Sequence, residues 1–90
     1  MMPFQTRALE DPMDPVEVEA LIRAAMPDAT ISVRSPDGSH FEALVISDLF
    51  VGQRTIKRHR AVYDALGALV GREIHALSLR TLTPAEAEAG

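Results

Sequence analysis

ATISVRSPDGSHFEALVI, residues 29–46, reads as a β-hairpin. Ile31 and Val33 alternate with Thr30, Ser32 and Arg34, the pattern of a strand with one wet face. Pro36-Asp37-Gly38-Ser39 then sets proline, a turn-forming acid and glycine in the order of a tight turn. His40-Phe41-Glu42-Ala43-Leu44-Val45-Ile46 resumes as a strand that is apolar on both faces at its far end. A strand of that kind is covered on both sides, which places it at the centre of a sheet.

Outward from the hairpin, helical periods take over. Asp14-Pro15-Val16-Glu17 is a helix start: an acid that can cap, a proline at the first helical position, and a glutamate at capping-box spacing. Val18, Leu21, Ile22 and Ala25 follow at helical spacing and Pro27 closes the element, which predicts a helix over 15–26. Beyond the hairpin, Ser47-Asp48-Leu49-Phe50-Val51-Gly52 is a linker with room for one helical turn. Ile56, Val62, Tyr63, Leu66, Leu69 and Val70 form an apolar stripe that predicts a long helix from 54 to 70, with Gly71 placed to end it. Gly67 inside that stripe costs about 1 kcal/mol against alanine, which implies close packing on a neighbour. Residues 74–81, IHALSLRT, form a third strand, and Thr83-Pro84-Ala85-Glu86 can begin a last short helix.

The order is α-β-β-α-β-α. Strands two and three are joined by a helical crossover, so as neighbours they run parallel, with a right-handed connection. The fold class is α+β: a three-stranded mixed sheet with helices mainly on one face. Residues 1–13 show no sustained periodicity and are expected to be a mobile tail, residues 14–86 the domain, and 87–90 a short C-terminal tail.

Ninety residues bound this to a single domain. The 47% apolar content includes thirteen alanines, which leaves 29 larger apolar side chains for one compact core of marginal stability. With no cysteine, a disulfide scaffold, a thiolate nucleophile, a zinc ribbon and a self-contained cysteine-ligated cluster are all excluded. No apolar run approaches the roughly 18 residues of a membrane span. The N-terminus lacks a basic region followed by an apolar one, so a cytoplasmic protein is expected. The formal charge is −4, yet residues 54–60, RTIKRHR, hold Arg54, Lys57, Arg58 and Arg60 with no acid among them. One basic turn on an acidic chain is a weak nucleic-acid signal and is more commonly a solvated helix face.

No Gly-x-Gly-x-x-Gly or P-loop occurs, and Ser39-His40 lacks the strand-turn-helix context of a nucleophile elbow. The carboxylate pairs Glu17 with Glu19 and Glu86 with Glu88 fall on helix surfaces, where solvent favours ordinary ionisation. Nothing argues for an enzyme. Of the three histidines, His40 opens strand two and His75 lies at the start of strand three. Parallel neighbours bring equivalent ends to one edge, about 4.8 Å apart per strand step. Two neutral imidazoles there amount to half a metal site, or to two strand-end residues bonded to backbone. Zinc wants four ligands and iron–sulfur iron normally wants thiolates, which this chain would have to take from another molecule. His59, between Arg58 and Arg60 and three residues from both Ile56 and Val62, reads as a packed residue at the edge of the core.

These residues resemble the BolA family, particularly its acid-resistance-associated IbaG-like branch. The resemblance rests on Gly38-Ser39-His40-Phe41, Ser47-Asp48-Leu49-Phe50-Val51-Gly52, Lys57-Arg58-His59-Arg60-Ala61-Val62-Tyr63, Ile74-His75-Ala76-Leu77-Ser78-Leu79 and Thr81-Leu82-Thr83-Pro84, in the family's order. It covers roughly residues 15–86. It implies a fold similar to a class II KH domain; Gly38, Gly52, His59, Tyr63 and Gly71 are read as structural residues of the domain. It also implies a non-enzymatic partner of monothiol glutaredoxins in iron–sulfur cluster handling or iron regulation and in stress response. In that picture a [2Fe-2S] cluster is shared between the two proteins. The family's C-terminal histidine ligand is matched by His75, and the variable ligand in the loop before strand two by His40. The glutaredoxin's cysteine and a glutathione thiol supply the rest, in keeping with a chain that has no cysteine. The family is also described as transcriptional regulators, for which Arg54, Lys57, Arg58 and Arg60 would contact DNA. A weak homodimer of the free protein is a further partner reading. Two departures stand out: Gly52-Gln53-Arg54 has no Gly-x-x-Gly, the loop that clamps backbone nucleotides, and the tail after Pro84 lacks the tryptophan many members carry there.

Overall fold

A capping box starts the chain's first helix, α1, Pro15–Ala25, in the computed structural model, which describes residues 13–89. The Val16 N–H donates to Asp14 Oδ1 at 3.0 Å, and the Asp14 N–H donates to Glu17 Oε1 at 3.0 Å. Two of the helix's orphan donors are thereby satisfied. Val18 and Ile22 are buried on its inner face. The Met26 N–H makes the last bond, to the Ile22 carbonyl, before Pro27. The expected tail lies outside the described residues up to residue 12, and so does Gly90. Met13, assigned to that tail, is buried in the core.

The hairpin forms as its alternation requires. β1, Thr30–Arg34, pairs antiparallel with β2, His40–Ile46, in the register Thr30 to Ile46 and Arg34 to Glu42. β3, Ala76–Leu82, pairs parallel with β2, from His40 opposite Ala76 to Ile46 opposite Leu82. The order β1-β2-β3 puts the second strand at the centre. Ile31, Phe41, Ala43 and Val45 are buried toward the helices, whereas Ser32, Arg34 and Glu42 are exposed on the opposite side. α1 packs on β1 and on the second helix, and that helix packs on β3. Phe41, Phe50, Ile22, Ile74, Val18, Val45 and Val62 are fully buried between sheet and helices.

The second helix, α2, is shorter than its apolar stripe predicts. It spans Thr55–Leu66, and a separate 3-10 turn covers Gly67–Leu69. Gly67, not Gly71, ends it. Gly67 has φ +60° and ψ −136°, and its N–H bonds the Tyr63 carbonyl. A Cβ at Gly67 would meet no heavy atom within 4 Å, so the glycine serves backbone conformation and not close packing. Gly71 sits in the next turn, where its N–H donates to the Ile74 carbonyl at 2.7 Å. Ile74, in an isolated bridge with Val70, and His75, in a bend, separate that turn from the strand, so β3 begins two positions later than expected.

The helix is also rotated from the expected setting. Val62 and Leu66 are buried, but Ile56 is 65% exposed and Tyr63 38%. An apolar residue at the first turn of a helix can fall outside the buried sector even when its spacing fits.

The last helix, α3, Pro84–Ala89, has no buried residue. Thr83 and Glu86 form a second capping box: the Glu86 N–H donates to Thr83 Oγ1 at 3.1 Å and the Thr83 N–H donates to Glu86 Oε1 at 2.8 Å. Arg58 ties this helix down. Its Nη1 and Nη2 meet Glu86 Oε1 and Oε2 at 2.7 and 3.2 Å, a bidentate pair. The same side chain donates to the Gln53 and Thr81 carbonyls and lies over the Phe50 ring, 5.8 Å from its centre. An arginine of α2 thus ties α3 to the rest of the domain. Glu86 is correspondingly not an ordinary solvated acid. The Arg58 hydrogen bonds, aided by the Thr83 N–H, lower its pKa from 4.5 to about 2.

Candidate functional site

The parallel register of β2 and β3 determines where the histidines fall. His40 is the first residue of β2, opposite Ala76, the first of β3. His75 precedes β3 by one residue, so it lies in the bend before the strand and not within it. Its N–H donates to the Ser39 carbonyl at 2.9 Å, and the Ala76 N–H reaches the same oxygen at 3.3 Å. The chain segments bearing the two imidazoles are therefore hydrogen-bonded neighbours at one sheet edge. Both histidines are exposed.

The turn before β2 holds His40 by its own chemistry. Gly38, at φ +79°, allows the reversal, and Ser35 Oγ accepts the Gly38 N–H at 2.8 Å while donating to the His40 carbonyl at 2.8 Å. Asp37 does most of the work. Its Oδ1 accepts the Ser39 and His40 N–H groups, each at 2.8 Å, and its Oδ2 lies 2.7 Å from His40 Nδ1. These backbone bonds, the one from His40 foremost, hold the Asp37 carboxyl well below the usual carboxylate range. A carboxylate acceptor beside Nδ1 favours the tautomer with the proton there, in which Nε2 is the ring nitrogen free to ligate. Sequence reading took Asp37 only as a turn former. The signal that could have found it is the Asp-x-x-His spacing within that turn.

No group of three or more histidine, aspartate or glutamate side chains among the described residues is arranged to hold a metal ion. The edge offers two imidazoles, one of them oriented by a carboxylate. That is an incomplete donor set, suited to a ligand that brings its own donors.

The basic turn does not act as one surface. Arg54, Lys57 and Arg60 are exposed, but Arg58 is folded into the molecule with a side chain only 11% exposed. The four basic residues expected to contact DNA are therefore not all presented to solvent. His59 is half-buried, outside the core, and lines an open groove with Thr55, Ile56, Arg60 and Tyr63. Gly52, at φ +78°, is exposed in the turn that leads into α2. No helix among the described residues is long and apolar enough to cross a membrane.

A three-stranded mixed sheet covered by helices on one side, with two exposed histidines at the edge shared by its parallel strands, defines a small α+β domain. Comparison with known proteins makes the class specific. The family model described as BolA-like protein matches residues 9–86, and the chain belongs to that family. It is 38% identical over 82 residues to the SufE-like protein 1, chloroplastic/mitochondrial, of Arabidopsis thaliana, covering 87% of this chain and 22% of that protein. The DNA-binding transcriptional regulator BolA of Escherichia coli is 42% identical over 50 residues, with 56% of this chain and 48% of the regulator covered. The chain thus spans about a fifth and about half of these two relatives. The acid stress protein IbaG of the same bacterium is 33% identical over 75 residues, with 82% and 88% covered. Among solved structures, a bolA protein homologue from Coxiella burnetii superimposes with a TM-score of 0.74 at 40% identity, covering 84% of this chain and 97% of that one.

Proposed function

We propose that this chain is a non-enzymatic partner of a monothiol glutaredoxin in the sharing or transfer of a [2Fe-2S] cluster, with His40 and His75 as its two ligands. The observation that carries the reading is the hydrogen-bonded juxtaposition of residue 39 and residue 75, which sets both exposed histidines at one sheet edge. Asp37 orients His40 by holding Nδ1, so that Nε2 is the ligating atom. Iron in such clusters is ordinarily held by thiolates. This chain has none, so a glutaredoxin cysteine and a glutathione thiol complete the set. The occurrence of the same domain in a plant SufE-like protein supports the assignment.

DNA binding through the basic turn is the second reading, favoured by the similarity to a bacterial regulator over 50 residues. With Arg58 committed to Glu86, three exposed cations remain, so duplex binding would weaken with salt at a log–log slope no steeper than about −3.

The leading reading is tested by mixing the protein with cluster-loaded monothiol glutaredoxin and glutathione. Visible absorption, circular dichroism and the sizing profile are then recorded. A changed spectrum and a complex of the two proteins are expected. An unchanged spectrum with no complex would overturn it.

A further inference from the structure

α2 carries two stripes. One faces inward: Arg58 beneath Glu86, the half-buried Ala61 and Ala65, and the buried Val62 and Leu66. The other comprises Ile56, His59, Arg60 and Tyr63, at the i, i+3, i+4, i+7 spacing of a single helix face. With Thr55 these four residues line an open groove of about 640 Å³. Ile56 and Tyr63, both exposed, lie seven residues apart along it, about 10 Å at the helical rise. Isolated apolar residues on a surface are ordinary, but two on one stripe flanking a groove form a patch.

The charge around the patch is mostly positive, with the exposed Asp64, next to Tyr63, as the one acid of α2. Arg54, Lys57 and Arg60 are exposed, and none pairs with an acid among the described residues. No aspartate or glutamate occurs between Asp48 and Asp64, although the chain as a whole carries −4. An apolar seam bordered by cations complements an apolar seam bordered by acids. Phosphate would satisfy the cations but leave Ile56 and Tyr63 against water, and a polyanion would also meet the acidic remainder of the surface.

We infer that the outer face of α2 is a docking surface for an amphipathic helix of a partner protein, apolar along its centre and acidic along its borders. The Ile56 end of the surface is remote from the histidine edge. Arg58, in the first half of α2, reaches the Thr81 carbonyl, six residues along from His75, which is about 20 Å at the rise of a strand. The face also points away from the sheet, because the opposite side of α2 is the one packed on the core. Both surfaces can be occupied together, which makes the domain a two-sided adaptor. This holds whether or not the histidine edge receives a cluster.

The test uses a synthetic helical peptide of about four turns, leucines on one face and glutamates on its borders, titrated into nitrogen-15-labelled protein at about 0.15 M salt. Amide shifts are expected across residues 54–63 and not at residues 37–40 or 75. Ile56→Ser should weaken binding about tenfold while leaving the melting temperature unchanged. Lys57→Glu with Arg60→Glu should weaken it as much, and a peptide with lysines in place of the glutamates should bind no better than that variant. The inference is overturned by absence of binding, by equal binding of the lysine peptide, or by shifts centred on the histidine edge. It is likewise overturned if a short DNA duplex binds residues 54–63 more tightly at the same salt. A wild-type dimer in sedimentation that Ile56→Ser dissolves would overturn it in favour of a second copy of this chain.

Discussion

Val62 and Ile56 lie on the same helix and belong to one apolar stripe in the sequence, yet the structure gives them opposite surroundings. Val62 is fully buried and Ile56 is 65% exposed. Replacing each by alanine isolates that difference, because both changes gain helix propensity of a similar few tenths of a kcal/mol. At Val62 two methyl groups leave a fully buried site in the core cluster that also holds Phe41, Phe50 and Ile22. Transfer and cavity terms then cost about 2–3 kcal/mol, or about 2 net of propensity. For a domain of this size that is a fall in melting temperature of about 8–16 °C, at roughly 4–8 °C per kcal/mol. At Ile56 little apolar area is lost from a covered surface, and stability should change by less than about 0.5 kcal/mol. Thermal and urea unfolding followed by far-ultraviolet circular dichroism read both variants. Equal losses at the two positions would refute the rotation assigned to α2, and with it the exposed stripe on which partner docking is inferred.

Glu86 has a lowered folded-state pKa, so the stability it confers is fully present above its ordinary value of 4.5 and is lost as pH falls toward about 2. Glu86→Gln should remove that part of the acid dependence and speed amide exchange in α3, read by hydrogen exchange at neutral pH; unchanged exchange would show that Arg58 does not hold the helix. Gly67→Ala places a side chain at φ +60°, ψ −136° and should cost about 1–2 kcal/mol in urea unfolding despite the open space around it. Removing the Asp14 cap by Asp14→Ala should cost about 1 kcal/mol in the same assay.

Features made by neighbouring residues were legible in the sequence. Asp14, Pro15 and Glu17 act within one turn, and the alternation of Ile31 and Val33 needs only a local period. The central position of β2 was readable because residues 43–46 are apolar on both faces. Parallel pairing of β2 with β3, which the helical crossover implies, is enough to bring the segments around residues 40 and 75 together. The rotation of α2 was less accessible. A 3.6-residue period groups Ile56 with Val62 and Tyr63, but which sector is covered depends on how the helix settles on β3. The helix end was misplaced because two glycines stand four residues apart, and only backbone angles distinguish Gly67 as the cap. Arg58 and Glu86 are 28 residues apart in sequence, so no local pattern could reveal that one basic residue of the turn is spent on docking α3. Asp37 combined a turn role with a histidine contact, and the first concealed the second.

The histidine edge is tested most directly by pulsed electron paramagnetic resonance of the chemically reduced complex with cluster-loaded glutaredoxin. This protein alone would carry nitrogen-15 in its imidazoles. The account predicts hyperfine coupling from the labelled histidines, reduced in His40→Ala and abolished when His75→Ala is added, with far-ultraviolet circular dichroism of the variants unchanged. A complex whose reduced cluster shows no coupling to the labelled imidazoles would contradict it.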